Sequence, residues 1–211
     1  MTNHPQVNVV SHPIIQQRLT LVRDKNTKVE QFRALLSQIA SLMVFELTRD
    51  HPTVDVEVET PLGPCRGKKL ATELTLVPIL RAGLGMTDGI LQLIPEARVG
   101  HLGLYRNEQT LEPVTYYNKL PPNIAKTEVI IIDPMLATGG SLNVAIDTVK
   151  KSGAGNIKIL CLVASPEGIE AVTKAHSDVS IYTAAIDDHL NDRGYIVPGL
   201  GDAGDRIFGT A

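Results

Sequence analysis

Residues 129–141 read Val129-Ile130-Ile131-Ile132-Asp133-Pro134-Met135-Leu136-Ala137-Thr138-Gly139-Gly140-Ser141, an apolar run that passes through an acid into a small-residue loop. The four leading β-branched residues leave no polar face, which suits a strand buried on both sides in a parallel sheet. Asp133 falls where that strand ends. Downstream, Leu142, Ala145, Ile146 and Val149 recur at helical spacing, Lys150 and Lys151 occupy the last turn, and Gly153 can take the left-handed stop. The order is strand, loop, helix. Thr138-Gly139-Gly140-Ser141 places two residues without side chains and two hydroxyls at a helix N-terminus, where free N–H groups and the positive dipole end favour a phosphate. The competing reading is an ordinary tight turn, with Thr138 or Ser141 capping the helix and Asp133 solvated. The spacing is not that of a P-loop, because no Lys-Ser/Thr pair follows the glycines, nor that of a G-x-G-x-x-G dinucleotide loop.

A chain of 211 residues has room for one well-cored α/β domain and little for a second. Hydrophobic content of 43% with 20% charged residues is ordinary for a globular protein, and no apolar run approaches the ~20 residues of a membrane helix. Met1 to Ser11 contain no Lys or Arg and lead into no signal-type apolar core, so a cytoplasmic location is expected. A net charge of −3 and 4% aromatics argue against a general nucleic-acid surface, which needs a basic face and stacking rings. A local site for a phosphorylated metabolite remains compatible. The six histidines show no His-x-x-x-His pairing, so no protein metal site is expected. Cys65 and Cys161 lack partners at ligand spacing and read as packing residues.

Working outward along the chain, Thr27-Lys28-Val29-Glu30 has capping-box form. Val29, Phe32, Leu35, Leu36, Ile39, Leu42, Met43 and Leu47 then mark the apolar stripe of a long helix. The segment before it, His12 to Arg23, reads as an N-terminal arm. Val54, Val56 and Val58 alternate with acids and lead into Pro61-Leu62-Gly63-Pro64, the pattern of an edge β-hairpin. Thr75 to Leu80 reads as a strand whose Pro78 must lie where no ladder donor is needed. It ends in Arg81-Ala82-Gly83-Leu84-Gly85, a second small-residue loop with one guanidinium able to fork onto a diphosphate, ahead of a helix to Leu93.

Arg98 to Leu104 suggests a further strand ending at Tyr105-Arg106. Residues 107–122 read as a long polar excursion, a candidate cover over the site. Strands over 157–164 and 180–186 bracket a helix over 167–176. The repeated strand-helix alternation implies parallel pairing, with ligands beyond the carboxyl ends of the strands. The loops at residues 81–85, 105–106 and 133–141 all fall at such ends. The tail, Tyr195 to Thr210, has too little periodicity for a regular element, and its glycines would let peptide groups approach a planar ligand.

Four separated motifs in chain order carry a resemblance. They are Val77 to Met86, Tyr105 to Glu108 with Thr110 to Pro113, Asp133 to Ser141, and Gly194 to Asp205. Together they are similar to the type I phosphoribosyltransferases and, within them, to the uracil phosphoribosyltransferase family. The usual pattern has two adjacent acids; here Pro134 stands in the second place, as in the uracil branch. The resemblance implies a type I phosphoribosyltransferase-like α/β fold, with a mostly parallel central sheet flanked by helices, a small C-terminal base-binding hood and an edge β-hairpin. It implies a single domain over 1–211, with an arm and helix at about 1–50, a core at about 67–190 and a base-binding tail at about 191–211.

The implied reaction is uracil plus 5-phospho-α-D-ribose 1-diphosphate (PRPP) giving UMP and diphosphate, in pyrimidine salvage. By the family pattern, Arg81, Arg106, Asp202 and the span Asp133, Pro134, Met135, Leu136, Ala137, Thr138, Gly139, Gly140 and Ser141 contact PRPP. Ile196, Gly201, Asp202 and Ala203 contact uracil, largely through the backbone. Asp133, Arg81 and Arg106 are the expected catalytic residues, with Mg2+ arriving mainly on the diphosphate. Family members are often homo-oligomers, dimer or tetramer, and some are activated by GTP, for which no residues here establish a site. The rivals are a purine or orotate phosphoribosyltransferase and an RNA-binding regulator on the same fold.

Overall fold

The structure is a computed structural model that describes residues 4–106 and 113–210. At the N-terminus, β1 (Val7–Val9) leads into α1 (Pro13–Arg23), which opens on Pro13 with the His12 ring accepting the Ile14 N–H. The expected arm is thus an edge strand and a docked helix. After it comes α2 (Val29–Leu47), with Phe32, Leu36, Ile39, Ala40, Met43 and Val44 fully buried. The capping box at its start does not form. Lys28 stands at the cap without a side-chain bond, and the Thr27 hydroxyl donates to the Leu21 carbonyl across the turn between the helices.

The hairpin of β2 (Thr53–Thr60) and β3 (Gly63–Leu70) forms a two-stranded sheet of its own, with Val54 and Val58 exposed. Then follow β4 (Leu74–Leu80), α3 (Leu84–Leu93), β5 (Arg98–Val99), β6 (His101–Arg106) and β7 (Pro113–Lys119). The strand expected over 98–104 breaks at Gly100, and that break accommodates Pro78. Leu76 gives its carbonyl to the Gly100 N–H, so Pro78, two residues on, faces the same side. Registered pairing there is interrupted between Leu76↔Val99 and Ile79↔Leu102, and the missing donor falls in the gap. The second half of the expected excursion is not a cover: Pro113 to Lys119 pair antiparallel with β6 as an edge strand. Its first half, residues 107–112, lies outside the described residues.

The motif stretch supplies β8 (Glu128–Ile132), β9 (Met135–Leu136) and α4 (Gly140–Lys151), with Gly153 left-handed just after the helix at φ 93°. Next come β10 (Asn156–Ala164), α5 (Pro166–Ala175) and β11 (Ser180–Ile186). The chain closes with β12 (His189–Leu190), β13 (Ile196–Val197) and α6 (Ala203–Phe208). The last helix corrects the reading of the tail as irregular. Asp202 caps it by accepting the Asp205 N–H, and Gly209 ends it at φ 67°.

The main sheet runs β1-β11-β10-β8-β4-β6-β7, parallel except for β7. Strand β8 sits near its middle and is buried throughout, as four β-branched residues require. Its side chains alternate between two cores. Ile130 and Ile132 face one built with α1, α2, α3 and α6, while Val129 and Ile131 face another built with α4 and α5. Adjacent strands β4 and β8 therefore deliver their following loops to the same edge. Cys161 is buried in the second core, where burial pushes its thiol up to about 12. Cys65 is exposed on the hairpin, so the packing reading holds for only one cysteine.

Candidate active site

The loop after β8 is held from behind. Ser165, which caps α5 through the Gly168 N–H, donates its hydroxyl to the Ala137 carbonyl at 2.6 Å, and its own N–H bonds the Leu136 carbonyl at 2.9 Å. Gly168 makes this approach possible: a Cβ there would lie 2.2 Å from the Ala137 oxygen. With the carbonyls turned into α5, the amides are left facing outward. Among the described residues, none of the N–H groups from Ala137 to Leu142 donates to a protein acceptor.

Gly139, at φ 80°, stands at the start of α4, and no side chain caps that helix. Neither Thr138 nor Ser141 therefore serves as the cap that an ordinary turn would give it. Asp133, Met135 to Ser141 and Leu142 line a pocket of about 70 Å³. Unpaired N–H groups at the positive end of a helix dipole are a seat for an anion.

Asp133 lies at the rim, half-buried, with Oδ1 accepting the Met135 N–H at 3.4 Å. Burial of its carboxyl raises the pKa from 3.8 to about 7; the Met135 amide opposes the rise, and the nearby Asp202 carboxylate adds to it. That influence of Asp202 places the tail beside the β8 loop. Pro134 is buried and serves through its backbone, its carbonyl accepting the Leu162 and Val163 amides.

The loop after β4 meets the same edge. A Cβ on Gly83 would lie 2.5 Å from the Ile132 carbonyl oxygen, so only glycine lets this loop lie against the end of β8. Arg81 is about half exposed, bonded to Asp205 at 3.2 Å and stacked on Phe208 at 5.6 Å from the ring centroid. The Thr210 hydroxyl, at 2.7 Å, and Arg81 both hold the Asp205 carboxyl below its ordinary range. Arg106 ends β6 opposite Pro113, and a Cβ on Gly140 would come within 3.8 Å of the Pro113 ring, which brings that strand end beside the start of α4.

Of the tail residues, Ile196 and Ala203 have buried side chains and can meet a ligand only through peptide groups, whereas Gly201 and Asp202 are exposed. Among the described residues, no group of three or more His, Cys, Asp or Glu could hold a metal ion. No helix among them is long and apolar enough to cross a membrane. Sequence reasoning missed Ser165, Gly168, Asp205 and Phe208. Ser165-Pro166 is readable as a helix start, but its grip on Ala137 has no local signal.

Comparison with known proteins agrees with this arrangement. The family model described as Uracil phosphoribosyltransferase matches residues 9–210. Proteins named uracil phosphoribosyltransferase from Halalkalibacterium halodurans and Geobacillus kaustophilus are each 60% identical over 206 residues, covering 97% of this chain and 99% of each relative. A solved Aquifex aeolicus protein superposes with a TM-score of 0.93 at 40% identity, over 97% of this chain and 99% of that one. A purine phosphoribosyltransferase from Pyrococcus horikoshii, at 19% identity, TM-score 0.52 and coverage of 73% and 84%, shares the fold. The architecture is that of the type I phosphoribosyltransferases, and the chain belongs to the uracil phosphoribosyltransferase family.

Proposed function

We propose that this chain transfers the 5-phosphoribosyl group of PRPP to N1 of uracil, releasing diphosphate and forming UMP. The observation that carries the reading is the set of unpaired amides from Ala137 to Leu142 around a small pocket at the start of α4. They would take the 5′-phosphate, with Thr138 and Ser141 adding hydroxyls. Asp133, above it, would accept from the ribose hydroxyls. Breaking the C1–diphosphate bond builds positive charge on the sugar and negative charge on the leaving group. Arg81, and Arg106 at the end of β6, would stabilise the departing diphosphate, each such preorganised donor contributing ~10²–10³ in rate.

Mg2+ fits as a partner of the substrate: it is commonly held by one or two carboxylates plus phosphate oxygens, and Asp133 and Asp202 are the carboxylates at hand. When bound, it supplies charge neutralisation on the diphosphate. Ile196, Gly201, Asp202 and Ala203 would present peptide groups to uracil. Uracil shows acceptor, donor, acceptor along O2, N3–H and O4, and cytosine reverses the last two, so mismatched buried groups reject it. Holding N1 over C1 is worth up to ~7–11 kcal/mol and outweighs a general base.

The same proposal takes the chain as one domain, with an arm and helix at about 1–50, a core at about 67–190 and a base-binding tail at about 191–211. It includes a homo-oligomer, a cytoplasmic location and activation by GTP, for which gel filtration and assays with and without GTP are direct tests. The reaction itself is tested by diphosphate release from PRPP with uracil, cytosine, hypoxanthine and orotate offered in turn. Uracil alone should support release; release with another base at a similar rate overturns the assignment.

A further inference from the structure

The turn between Ile196 and Gly201 is clasped by two residues outside every motif above. Arg23, at the end of α1, forks onto Asp187, just after β11, with Nη2 to Oδ1 at 2.5 Å and Nη1 to Oδ2 at 2.7 Å. The Asp187 side chain is 4% exposed. Both partners also hold one residue of the tail, through the peptide groups on either side of it: Arg23 Nη1 donates to the Gly199 carbonyl at 2.7 Å, and the Gly199 N–H donates to Asp187 Oδ2 at 2.9 Å. Asp187 is itself anchored, its N–H bonded to the Ala164 carbonyl at the end of β10.

The next residue is held in the same manner. Arg206 donates to the carbonyls of Leu200, Val22 and Asp24 and stacks over Phe32 at 4.2 Å. Gly199 has φ 59°, and a Cβ there would lie 2.2 Å from the Ile196 carbonyl oxygen, so the turn folds tightly back on Ile196. With N–H and C=O of Gly199 both occupied, rotation of its flanking peptide planes is blocked.

A buried ion pair is weak as a source of stability, since apolar residues of similar volume often serve as well. The geometry here points to a different use. We propose that Arg23 and Asp187 are positioning residues for pyrimidine recognition, fixing the Gly199 peptide so that the peptide groups of Ile196 and of Gly201 to Ala203 meet the base in register. This rests on the reading of the tail as the uracil site. The pair touches no substrate and acts through the turn. It ties base selection to α1, which Arg206 also joins to the turn by bonding both the Val22 and the Leu200 carbonyls.

The test is steady-state kinetics of full-length Asp187→Asn and of the apolar double variant Arg23→Met/Asp187→Leu, which leaves no unpaired charge to unfold the protein. The KM for uracil should rise about tenfold to a hundredfold, as loss of register at a reacting group can cost ~10². The KM for PRPP should stay within about threefold, and the preference for uracil over cytosine should fall. Arg23→Lys, which keeps the charge but not the fork, should lie between these and the parent. Gly201→Ala serves as the control for the site itself. If Gly201→Ala raises the uracil KM while both clasp variants leave it and the base preference unchanged, the clasp is merely structural and the inference is overturned. If Gly201→Ala also leaves the uracil KM unchanged, the tail is not the base site, and the inference falls with that reading.

Discussion

Asp133→Asn should make the free protein more stable and the enzyme less active. In the folded chain the Asp133 carboxyl titrates at about 7, against 3.8 for an ordinary aspartate, chiefly because burial disfavours its charge. Below about pH 4 the group is protonated in both folded and unfolded chains and contributes no difference. Between about 4 and 7 the unfolded chain has lost the proton that the folded chain keeps, so stability falls as pH rises. Above 7 the full cost is present. At ~1.4 kcal/mol per pH unit the ceiling is about 4 kcal/mol, and partial solvent access to the side chain brings the expected cost to ~2–4 kcal/mol. Asparagine has nearly the same shape, can still accept the Met135 N–H, and carries no charge. At ~2–4 °C per kcal/mol for a domain of this size, its melting temperature at pH 8 should exceed that of the parent by about 4–16 °C, with the gap closing toward pH 4.

Activity should move the other way. Exchanging a charged acceptor of the ribose hydroxyls for a neutral one forfeits ~1.5–3 kcal/mol, roughly a 10- to 150-fold loss in kcat/KM for PRPP. The assays are thermal melts of both proteins from pH 4 to 8 without ligand, and diphosphate release at pH 8. Parallel melting curves across that range would refute the argument about the buried charge. Unchanged kinetics would refute the role assigned to Asp133.

Three further outcomes are expected. Gly139→Ala should retain the fold but raise the KM for PRPP at least tenfold, because a Cβ at φ 80° costs ~1–2 kcal/mol and would sit 3.0 Å from the Ala171 methyl; PRPP-saturation curves check it. Ser165→Ala removes both the α5 cap and the brace on Ala137. It should cost ~0.5–2 kcal/mol in urea melts and weaken protection by inorganic phosphate, which a pure helix-cap defect would leave intact. Lys158→Met strips Glu128, 3% exposed, of its 2.9 Å cation at the opposite end of β8 from Asp133, leaving it the Asn156 amide at 2.9 Å and the His51 ring at 3.5 Å. It should cost ~1–3 kcal/mol while leaving both KM values unchanged, and a shift in either would link that end of the sheet to the site.

Much of the molecule was legible because the deciding physics is local. A run of β-branched residues can only be a doubly buried strand here, and a helical stripe bounded by Gly153 marks α4. Glycines at 83 and 139 mark close approach and a left-handed turn within a few residues of where they act. The motifs and their order sufficed for the family. Errors arose where a group had a choice of partner: Thr27 has the form of a helix cap, yet its hydroxyl goes to Leu21. The tail carried both of its helix signals, Asp202 and Gly209, but its six-residue helix α6 is too short for periodicity to reveal.

Tertiary structure alone decided everything that depends on which distant groups share a volume. The charge state of Asp133 follows from how much protein surrounds it and from Asp202, 69 positions away by the numbering. Bracing of Ala137 by Ser165 needs α5 to pack behind the loop, and the Arg23–Asp187 clasp joins residues 164 positions apart. Periodicity and capping act over a few residues. Desolvation and hydrogen-bond partnership across a fold are properties of the packed whole, and they exist only once the sheet has brought its strand ends together.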